Sequence, residues 1–364
     1  MANISTKTFL RLLVYISFYG ILSFSSNPIF AQTWYSYQTG NWSSPLSWTT
    51  DGGSFPLYVN PTNAVPGATH NVVITSGKVI SMDVNNQQVA SISVIGTLDI
   101  LATTGHNFGT ISGSGRIKIA GATDNFPAGT ATNFADNAVG GTLEINGAGI
   151  LLTSPHTFNN VVVNMSAVAN VAVLKNNWTI NGNLTITQGL LQFEDASAPQ
   201  NRTLTVTRNV AVAANGGIRT ANSNNRHEFN LFGDFVNNGT AHFTNRGAAN
   251  TVAEALDGIV DVNFRSAMQD QQAVCNGDTR FYRIEIDKGT NDRYKVSLSA
   301  SLAANFSLFG FAQEGHTANT SQLVANNNAL GLLNGTVEIG TNVTIPALQT
   351  SGSTGNYNIS TGAT

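Results

Sequence analysis

Residues 71–100, NVVITSGKVISMDVNNQQVASISVIGTLDI, contain the pattern that decides the fold. Short runs of aliphatic and β-branched residues alternate in this stretch with turn residues such as Thr-Ser-Gly and Val-Asn-Asn. Such runs are typical of β-strands, and each of them is too short to be stable alone. Neighbouring segments of the chain are therefore needed to cover these strands.

The end of this stretch recurs twice further along the chain. The tetrad Gly-Thr-aliphatic-acidic followed by Ile begins at Gly96, Gly141 and Gly335. Because side chains alternate along a strand, the aliphatic residue and the Ile share one face, and the Thr and the carboxylate share the other. One face of each of these strands is therefore predicted to be core and the other to be wet.

A longer self-similarity also indicates a repeat. Residues 158–164, FNNVVVN, align with residues 281–287, FYRIEID. The aliphatic positions of the two segments correspond, and we predict that four side chains point inward: Val161, Val163, Ile284 and Ile286. Glu285 falls between two of them, so we predict that it faces solvent.

Composition supports an all-β fold. The chain has 364 residues, of which 35 are Gly and only 10% are charged, and the abundant Asn is predicted to hydrogen-bond adjacent turns. Self-similar units of short strands fit a solenoid in which each coil contacts only its neighbours. We therefore predict a right-handed parallel β-helix with turns of about 20 to 25 residues. A pair of β-sandwiches is the alternative, because Asn146-Gly147 and Asn181-Gly182 would be acceptable hairpin turns.

The N-terminus predicts an exported protein. Lys7 and Arg11 precede an apolar run that ends at Phe24, and Ala31 is a small residue suited to a signal peptidase. The apolar run is shorter than the ~20 residues that span a bilayer. Residues 1–31 are therefore predicted to be a cleaved signal peptide, and the mature chain is not expected to span a membrane.

The mature chain is predicted to consist of a cap and a solenoid. Residues 32–66 are rich in aromatic residues and Pro, which predicts an irregular N-terminal cap, and residues 67–364 are predicted to form the β-helix. Longer polar segments are predicted to project from it as loops: residues 121–140, 194–202, 245–258, 265–280 and 312–328.

The aromatic residues of the cap permit two interpretations. Trp42 and Trp48 lie directly before the first coil, where the apolar end of a solenoid needs a cover. Exposed aromatic rings also bind sugars by stacking. We favour the covering role, and glycan contact through Trp42, Trp48 and Tyr58 is the alternative.

Charge and Cys content narrow the function. The chain has 17 Lys and Arg against 20 Asp and Glu, with no basic stripe, so nucleic-acid binding is disfavoured. Cys275 is the single Cys, which excludes an intramolecular disulfide and a thiolate metal cluster. We predict no cofactor and no metal site, because the His residues lack ligand spacing. They are His70, His106, His156, His227, His242 and His316.

Catalytic motifs are not evident in the sequence. A β-helix glycosidase needs two carboxylates at one bond, and a lyase needs an acidic calcium cluster with a Lys or Arg base. Arg116-Ile117-Lys118 resembles a tripeptide of the pectin hydrolases, but alternation places both cations opposite Ile117, which predicts a solvated strand face. Glu194-Asp195 is predicted to solvate a turn rather than to bind calcium. Catalysis is therefore disfavoured.

Three segments resemble one family of secreted proteins. Residues 40–48, which begin with Gly-Asn-Trp, residues 65–74 (VPGATHNVVI) and residues 233–240 (GDFVNNGT) are similar to the large secreted right-handed β-helix proteins of Bacteroidota. The resemblance implies type IX secretion and an adhesin-like role outside the cell. Such proteins end in a C-terminal sorting domain that is not evident here, so we expect the chain to be a fragment.

The sequence thus favours one function over a rival from another class. We expect a secreted or surface-attached scaffold that contacts extracellular polysaccharide, or another cell surface, through loops or a lateral face. The alternative is a secreted polysaccharide lyase or glycoside hydrolase built on a β-helix.

Overall fold

The computed structural model describes residues 31–364 apart from 137–138, 155, 195–199, 224, 246–257, 290–291, 311–328, 346–356 and 362. Contacts divide the chain into two units, Met1–Gln32 and Thr33–Thr364, and every described strand lies in the second. The predicted signal peptide therefore lies outside the described residues, except for Ala31.

Sheet 1 is six-stranded and lies at the N-terminal end of the unit. Its strands, in spatial order, are β10 (Ala128–Thr130), β8 (Asn107–Ser112), β6 (Ser91–Val94), β4 (Asn71–Ile74), β1 (Thr33–Ser36) and β3 (Trp48–Thr49). The neighbours pair in parallel except for β1 and β3, which are antiparallel. Strand β3 therefore covers the outer edge of β1.

Sheet 2 is the largest sheet and has two columns of parallel strands. Column 2a contains β2 (Gly40–Asn41), β5 (Val79–Ser81), β7 (Thr97–Asp99), β9 (Arg116–Ile119), β11 (Thr142–Ile145), β14 (Asn160–Asn164), β21 (Phe235–Asn237), β24 (Gln271–Cys275), β27 (Lys295–Ala300) and β30 (Thr336–Ile339). Column 2b contains β12 (Ile150–Leu152), β15 (Val171–Leu174), β22 (Thr240–His242), β25 (Asp278–Phe281) and β28 (Phe306–Leu308). Two long strands run through both columns: β17 (Leu184–Phe193) and β19 (Val210–Thr220).

Sheet 3 is eight-stranded and parallel. Its strands are β13 (His156–Phe158), β16 (Trp178–Ile180), β18 (Thr203–Val206), β20 (Arg226–Leu231), β23 (Ile259–Phe264), β26 (Arg283–Asp287), β29 (Leu330–Asn334) and β31 (Tyr357–Ile359). Short helical turns are found at Pro45–Ser47, Thr132–Asp136 and Ala303–Asn305.

This connectivity is that of a parallel β-helix. The chain passes from sheet 1 or sheet 3 into sheet 2, and strands pair with the equivalent strands of the next coil. Asn181-Gly182 joins β16 of sheet 3 to β17 of sheet 2, so it is a corner between two sheets. The predicted all-β parallel solenoid with its aromatic N-terminal cap is confirmed, and the alternative of β-sandwiches joined by hairpins is wrong.

Side chains of one corner link successive coils in a ladder. The Asn183 N–H donates to Asn160 Oδ1, 23 residues earlier. The Asn209 N–H donates to Asn183 Oδ1 across 26 residues, and the Asp234 N–H donates to Asn209 Oδ1 across 25 residues. A longer step of 38 residues joins the Gln272 N–H to Asp234 Oδ1. Three Asn amide oxygens and the Asp234 carboxylate thus accept the backbone N–H groups of the next turn, as predicted for the abundant Asn.

The parallel pairing begins before the boundary predicted at residue 67. Strand β1 pairs with β4, and β2 pairs with β5, so residues 33–41 already extend sheets 1 and 2. Residues 50–70 contain no strand and complete the cap.

The predicted inward side chains are buried. Val161 is 1% exposed, and Val163, Ile284 and Ile286 are 0% exposed. Two parts of this interpretation are wrong, however. Segment 158–164 enters β14 of sheet 2 whereas segment 281–287 enters β26 of sheet 3, so their similarity is local and does not relate equivalent faces. Glu285 points away from the coil interior but is buried, because Arg265 and Arg283 pair with its carboxylate at 2.7 and 2.6 Å.

The Gly-Thr tetrads, in contrast, do mark equivalent positions. All three copies enter strands of column 2a, namely β7, β11 and β30. Each carboxylate pairs with a cation of an adjacent strand: Asp99 with Lys118, Glu144 with Arg116, and Glu338 with Lys295. The predicted wet face is therefore an ion-paired face. Glu144 is an exception, because it is only 3% exposed rather than solvated. The predicted core face is wrong for the third copy, where Ile339 is 44% exposed on β30, the last described strand of column 2a.

Two of the predicted loops contain strands and are wrong to that extent. Residues 121–140 include β10, which pairs in parallel with β8. Residues 265–280 contain β24 and most of β25. Gln271 is a buried residue of β24, and its amide donates to the carbonyls of Leu231 and Gly233 at 3.1 and 2.7 Å. The polar residues of this segment indicated a loop, but Gln271 shows that a polar side chain can lie inside the coil when backbone carbonyls accept its hydrogen bonds. The predicted loop 312–328 lies outside the described residues, as does most of 245–258.

Lys288 is a buried cation whose effect on stability can be measured. Its ammonium donates to Gln271 Oε1 at 2.6 Å and is 1% exposed, and burial lowers its pKa to about 8 despite the opposing fields of Asp270 and Asp234. Between pH 8 and pH 10.5 the unfolded chain binds a proton that the folded chain has lost, so stability rises with pH in this window.

We expect the wild type to gain up to about 3 kcal/mol over Lys288→Met between pH 7 and pH 10.5. Urea unfolding of both proteins at several pH values measures this difference. Parallel stability profiles for the two proteins would contradict the buried, depressed Lys288.

Candidate functional site: a cleft beside the N-terminal cap

The three aromatic residues predicted to contact glycan differ in burial: Trp42 and Trp48 are buried, and Tyr58 is exposed. Trp42 and Trp48 are both 0% exposed, and their rings pack edge to face with centroids 5.0 Å apart. Trp42 also stacks on Phe108 at 5.7 Å. A ring with no exposed face cannot stack on a sugar, so glycan contact by these two residues is corrected to a role in the core. Tyr58 is 38% exposed and stays a candidate.

A cleft of about 680 Å³ lies on the outer side of this packed end. Strand β1 alternates between buried and partly exposed residues, so Trp34 and Ser36 enter the core while Tyr35 faces the cleft. Tyr37 follows the strand with the same outward sense. The full lining is Tyr35, Tyr37, Gln38, Asp51, Gly52, Gly53, Ser54, Phe55, Pro56, Val73, Thr75, Ser76 and Lys78.

One wall of the cleft is the loop that follows β3. Asp51 organises this loop, because its carboxylate accepts the backbone N–H groups of Leu57 at 2.6 Å and Gly53 at 3.0 Å. These two hydrogen bonds lower the pKa of Asp51, so it carries a negative charge at neutral pH. Gly52 lies against the Tyr35 ring, where an added Cβ would come within 2.6 Å of Cζ. The loop and the Tyr35 ring are therefore closely fitted.

The opposite wall is the turn between β4 and β5. Thr75 is fixed by Ser36, since its backbone N–H donates to Ser36 Oγ at 2.8 Å and its hydroxyl donates to the Ser36 carbonyl at 2.9 Å. Gly77 adopts a φ of 73°, which closes the turn and favours Gly. Lys78 follows, and no carboxylate in the described part of the chain pairs with its ammonium.

The cleft combines rings with groups that can hydrogen-bond. Tyr37 lies 5.4 Å from Tyr58 between ring centroids, and Phe55 is 92% exposed at the loop tip. Asp51 and Lys78 supply one charge of each sign. Rings that cover the apolar face of a sugar, with polar groups around them for the hydroxyls, make this cleft suited to saccharide binding.

Sequence reasoning missed most of this cleft. The sequence identifies residues 32–66 as an aromatic segment, but its candidates for glycan contact are Trp42, Trp48 and Tyr58, of which none lines the cleft. The alternation Trp34-Tyr35-Ser36-Tyr37 was the available signal, since it places Trp and Ser on one side and both Tyr on the other. Lys78 carried no signal, because only the fold brings it near the cap.

Other titratable side chains lie in polar clusters. Glu194 does not solvate a turn as predicted: it is 0% exposed and accepts hydrogen bonds from Ser223 and Asn225. His227 Nε2 lies 3.7 Å from the same carboxylate. Asp195 and His316 lie outside the described residues.

Within the described residues, no group of three or more His, Cys, Asp or Glu side chains could hold a metal ion. Burial raises the pKa of the Cys275 thiol to about 11. None of the helices in the described ranges combines the length and apolar character needed to cross a membrane.

The comparisons with known proteins give no further constraint. No family model, curated protein or solved structure matches the chain.

Proposed function

We propose that this protein is an extracellular, adhesin-like β-helix scaffold that holds a glycan in the cleft beside its cap. The observation that carries the proposal is the cleft of about 680 Å³, in which outward Tyr rings and Phe55 stand beside Asp51 and Lys78. Pockets of roughly 300–1,000 Å³ suit small ligands, so this one has room for a short saccharide.

The rigidity of the walls supports binding without rearrangement. Tyr35 is held by its strand and by the backbone of Gly52, and Asp51 is held by two backbone N–H groups. A site whose side chains are already ordered loses little conformational entropy when a ligand binds. Phe55 is different, since it is almost fully exposed and would gain contacts only when a ligand covers it.

The extracellular location and the secretion route are part of the same proposal. Export, surface attachment and the type IX route rest on the N-terminal sequence and on the resemblance to secreted β-helix proteins. The partner that fits them is a polysaccharide outside the cell. A long parallel sheet suits a scaffold, because each added coil extends the molecule without changing the site at its end.

The test is retention on immobilised polysaccharides of the mature protein and two variants, Tyr37→Ala and Phe55→Ala. Each variant is expected to lose about tenfold in affinity, which corresponds to about 1.4 kcal/mol for one stacked ring. Leu302→Ala is the matched control, because Leu302 is 62% exposed and lies on the turn before β28. Equal losses in the control, or no retention of the wild type on any glycan, would refute the proposal.

The same panel tests the enzymatic alternative. A scaffold leaves acidic and neutral polysaccharides intact during prolonged incubation. Release of unsaturated or reducing ends would instead establish a lyase or a hydrolase, and a scaffold role would no longer be sufficient.

A further inference from the structure

A second polar site lies on the outer face of column 2b. Four outward side chains occupy equivalent positions on successive strands: Gln192, Arg219, His242 and Arg280. They belong to β17, β19, β22 and β25, so the spacing of the parallel strands brings them side by side.

Three of these side chains line a cavity. Its volume is about 360 Å³, and its walls include Gln192, Arg219, Thr220, Asn222, His242 and Asn245. Most of these groups are polar, so the cavity is suited to a hydrophilic ligand. It is formed by sheet 2 and by the turns that leave it, and it shares no residue with the cleft beside the cap.

Arg219 is an uncompensated cation in this cavity. Its Nε donates to Gln192 Oε1 at 2.8 Å, which leaves the four N–H groups of the guanidinium end for a ligand. Burial lowers its pKa, and no carboxylate of the described chain forms an ion pair with it. A partly desolvated Arg without a counter-ion favours an oxyanion, which it can bind through two parallel hydrogen bonds.

The carboxylate of Asp278, on the strand next to that of His242, is already paired. Arg280 binds Asp278 through Nη2 at 2.8 Å and Nε at 3.2 Å, and His242 Nε2 lies 2.7 Å from the same carboxylate. The His242 hydrogen bond is the largest of the effects that hold the pKa of Asp278 at about 2. Asp278 therefore remains ionised and committed to these two partners, so it does not offset the charge of Arg219.

The Asp278 contact also assigns a role to His242. An ionised carboxylate only accepts hydrogen bonds, so Nε2 carries a proton towards Asp278. In the neutral ring, Nδ1 is then an acceptor. Nδ1 can accept a hydroxyl hydrogen, while Arg219 donates to an oxyanion.

We propose that this cavity binds one anionic sugar unit, with its carboxylate or sulfate on Arg219 and a neighbouring hydroxyl on His242. Uronates and sulfated sugars both carry an oxyanion next to hydroxyl groups. The site is independent of the glycan proposed for the cleft, so either can fail without the other.

The test uses titration calorimetry on the mature chain with three probes: an oligogalacturonate, a sulfated galactan oligosaccharide and the neutral galactan oligosaccharide. We expect at least one acidic probe to bind ten times or more tighter than the neutral one. Binding of only one acidic probe supports the site and identifies its oxyanion as carboxylate or sulfate. Equal affinity for all three would overturn the proposal.

The variants locate the binding. Arg219→Gln is expected to lose at least tenfold in affinity for the acidic probe, and Arg219→Lys, which keeps the charge without the planar fork, is expected to lose less. Arg208→Gln is the matched control, since it removes one positive charge from an exposed Arg elsewhere. A loss as large in this control would show general charge attraction and refute the site.

A final pair of variants separates this site from the cleft and from simple misfolding. Tyr37→Ala is expected to bind the acidic probe as the wild type does, whereas His242→Phe is expected to weaken it severalfold. Thermal melting of each variant checks the fold. Loss of acidic-probe binding in Tyr37→Ala alone would place the ligand in the cleft and overturn the lateral site.

Discussion

Trp42→Ala is expected to cost about 3–5 kcal/mol of stability, because it leaves a large void in a packed core. The Trp42 side chain is fully buried, stacks on Phe108 with an interplanar angle of 13°, and meets the Trp48 ring at 74°. Its backbone carbonyl accepts the Trp48 indole N–H at 2.8 Å. The backbone bond can survive the substitution, so the loss is one of packing. Urea unfolding measures it.

Leu46→Ala is the control for this prediction. Leu46 lies in the same cap between the two Trp residues, but it is 56% exposed and should change the stability little. A Trp42→Ala protein as stable as the Leu46→Ala protein would show that the cap is not part of the core.

Deletion of residues 33–66 extends the test from one ring to the whole cap. The deletion removes β1, β2 and β3, so β4 becomes the edge of sheet 1 and β5 becomes the first strand of column 2a. An open parallel edge above an apolar interior favours association between molecules. We expect larger assemblies in light scattering and a lower melting temperature. A stable monomer would mean that the end of the coil needs no cover.

The fold could be predicted from the sequence because the patterns that indicate it are local. Short strands, Asn-Gly corners and the Gly-Thr tetrads each report the alternation of one strand, and Leu98 and Ile100 are buried as that alternation requires. The alternation of side chains does not indicate which sheet a strand joins. Segments 158–164 and 281–287 have the same pattern of inward residues and yet enter different sheets.

The two candidate sites were harder to predict from the sequence, because each consists of residues from different coils. Arg219 and His242 are adjacent only through the pairing of β19 with β22, and no local pattern announces that pairing. The burial of two carboxylates was also predicted wrongly, because residues from other coils cover them. Glu194 and Glu285 were assigned to solvent from their own segments, whereas partners from other coils cover them.

Ile286→Asp is expected to cost several kcal/mol, because it places an unpaired carboxylate inside the coil. Ile286 is 0% exposed and lies in register between Phe264 of β23 and Leu332 of β29. These two flanking side chains are hydrocarbon and offer an Asp no hydrogen bond. Ile286→Val is the matched control, with an expected loss of about 1 kcal/mol. Similar melting temperatures for the two variants would refute the inward assignment.

Glu285→Ala, at the adjacent position, is expected to be destabilising as well, although the sequence predicted that Glu285 faces solvent. Removal of this carboxylate leaves the buried guanidinium of Arg283 without its 2.6 Å partner, and it deprives Arg265 of the shorter of its two ion pairs. Breaking a buried pair from one side costs about 3–5 kcal/mol, since the remaining charge stays desolvated. Glu338→Ala removes an exposed carboxylate that is paired with Lys295, so little change is expected there. Urea unfolding of both variants decides the matter: equal stability would show that Glu285 is solvated, and a loss confined to Glu285→Ala would establish a buried ionic cluster on the outside of the coil.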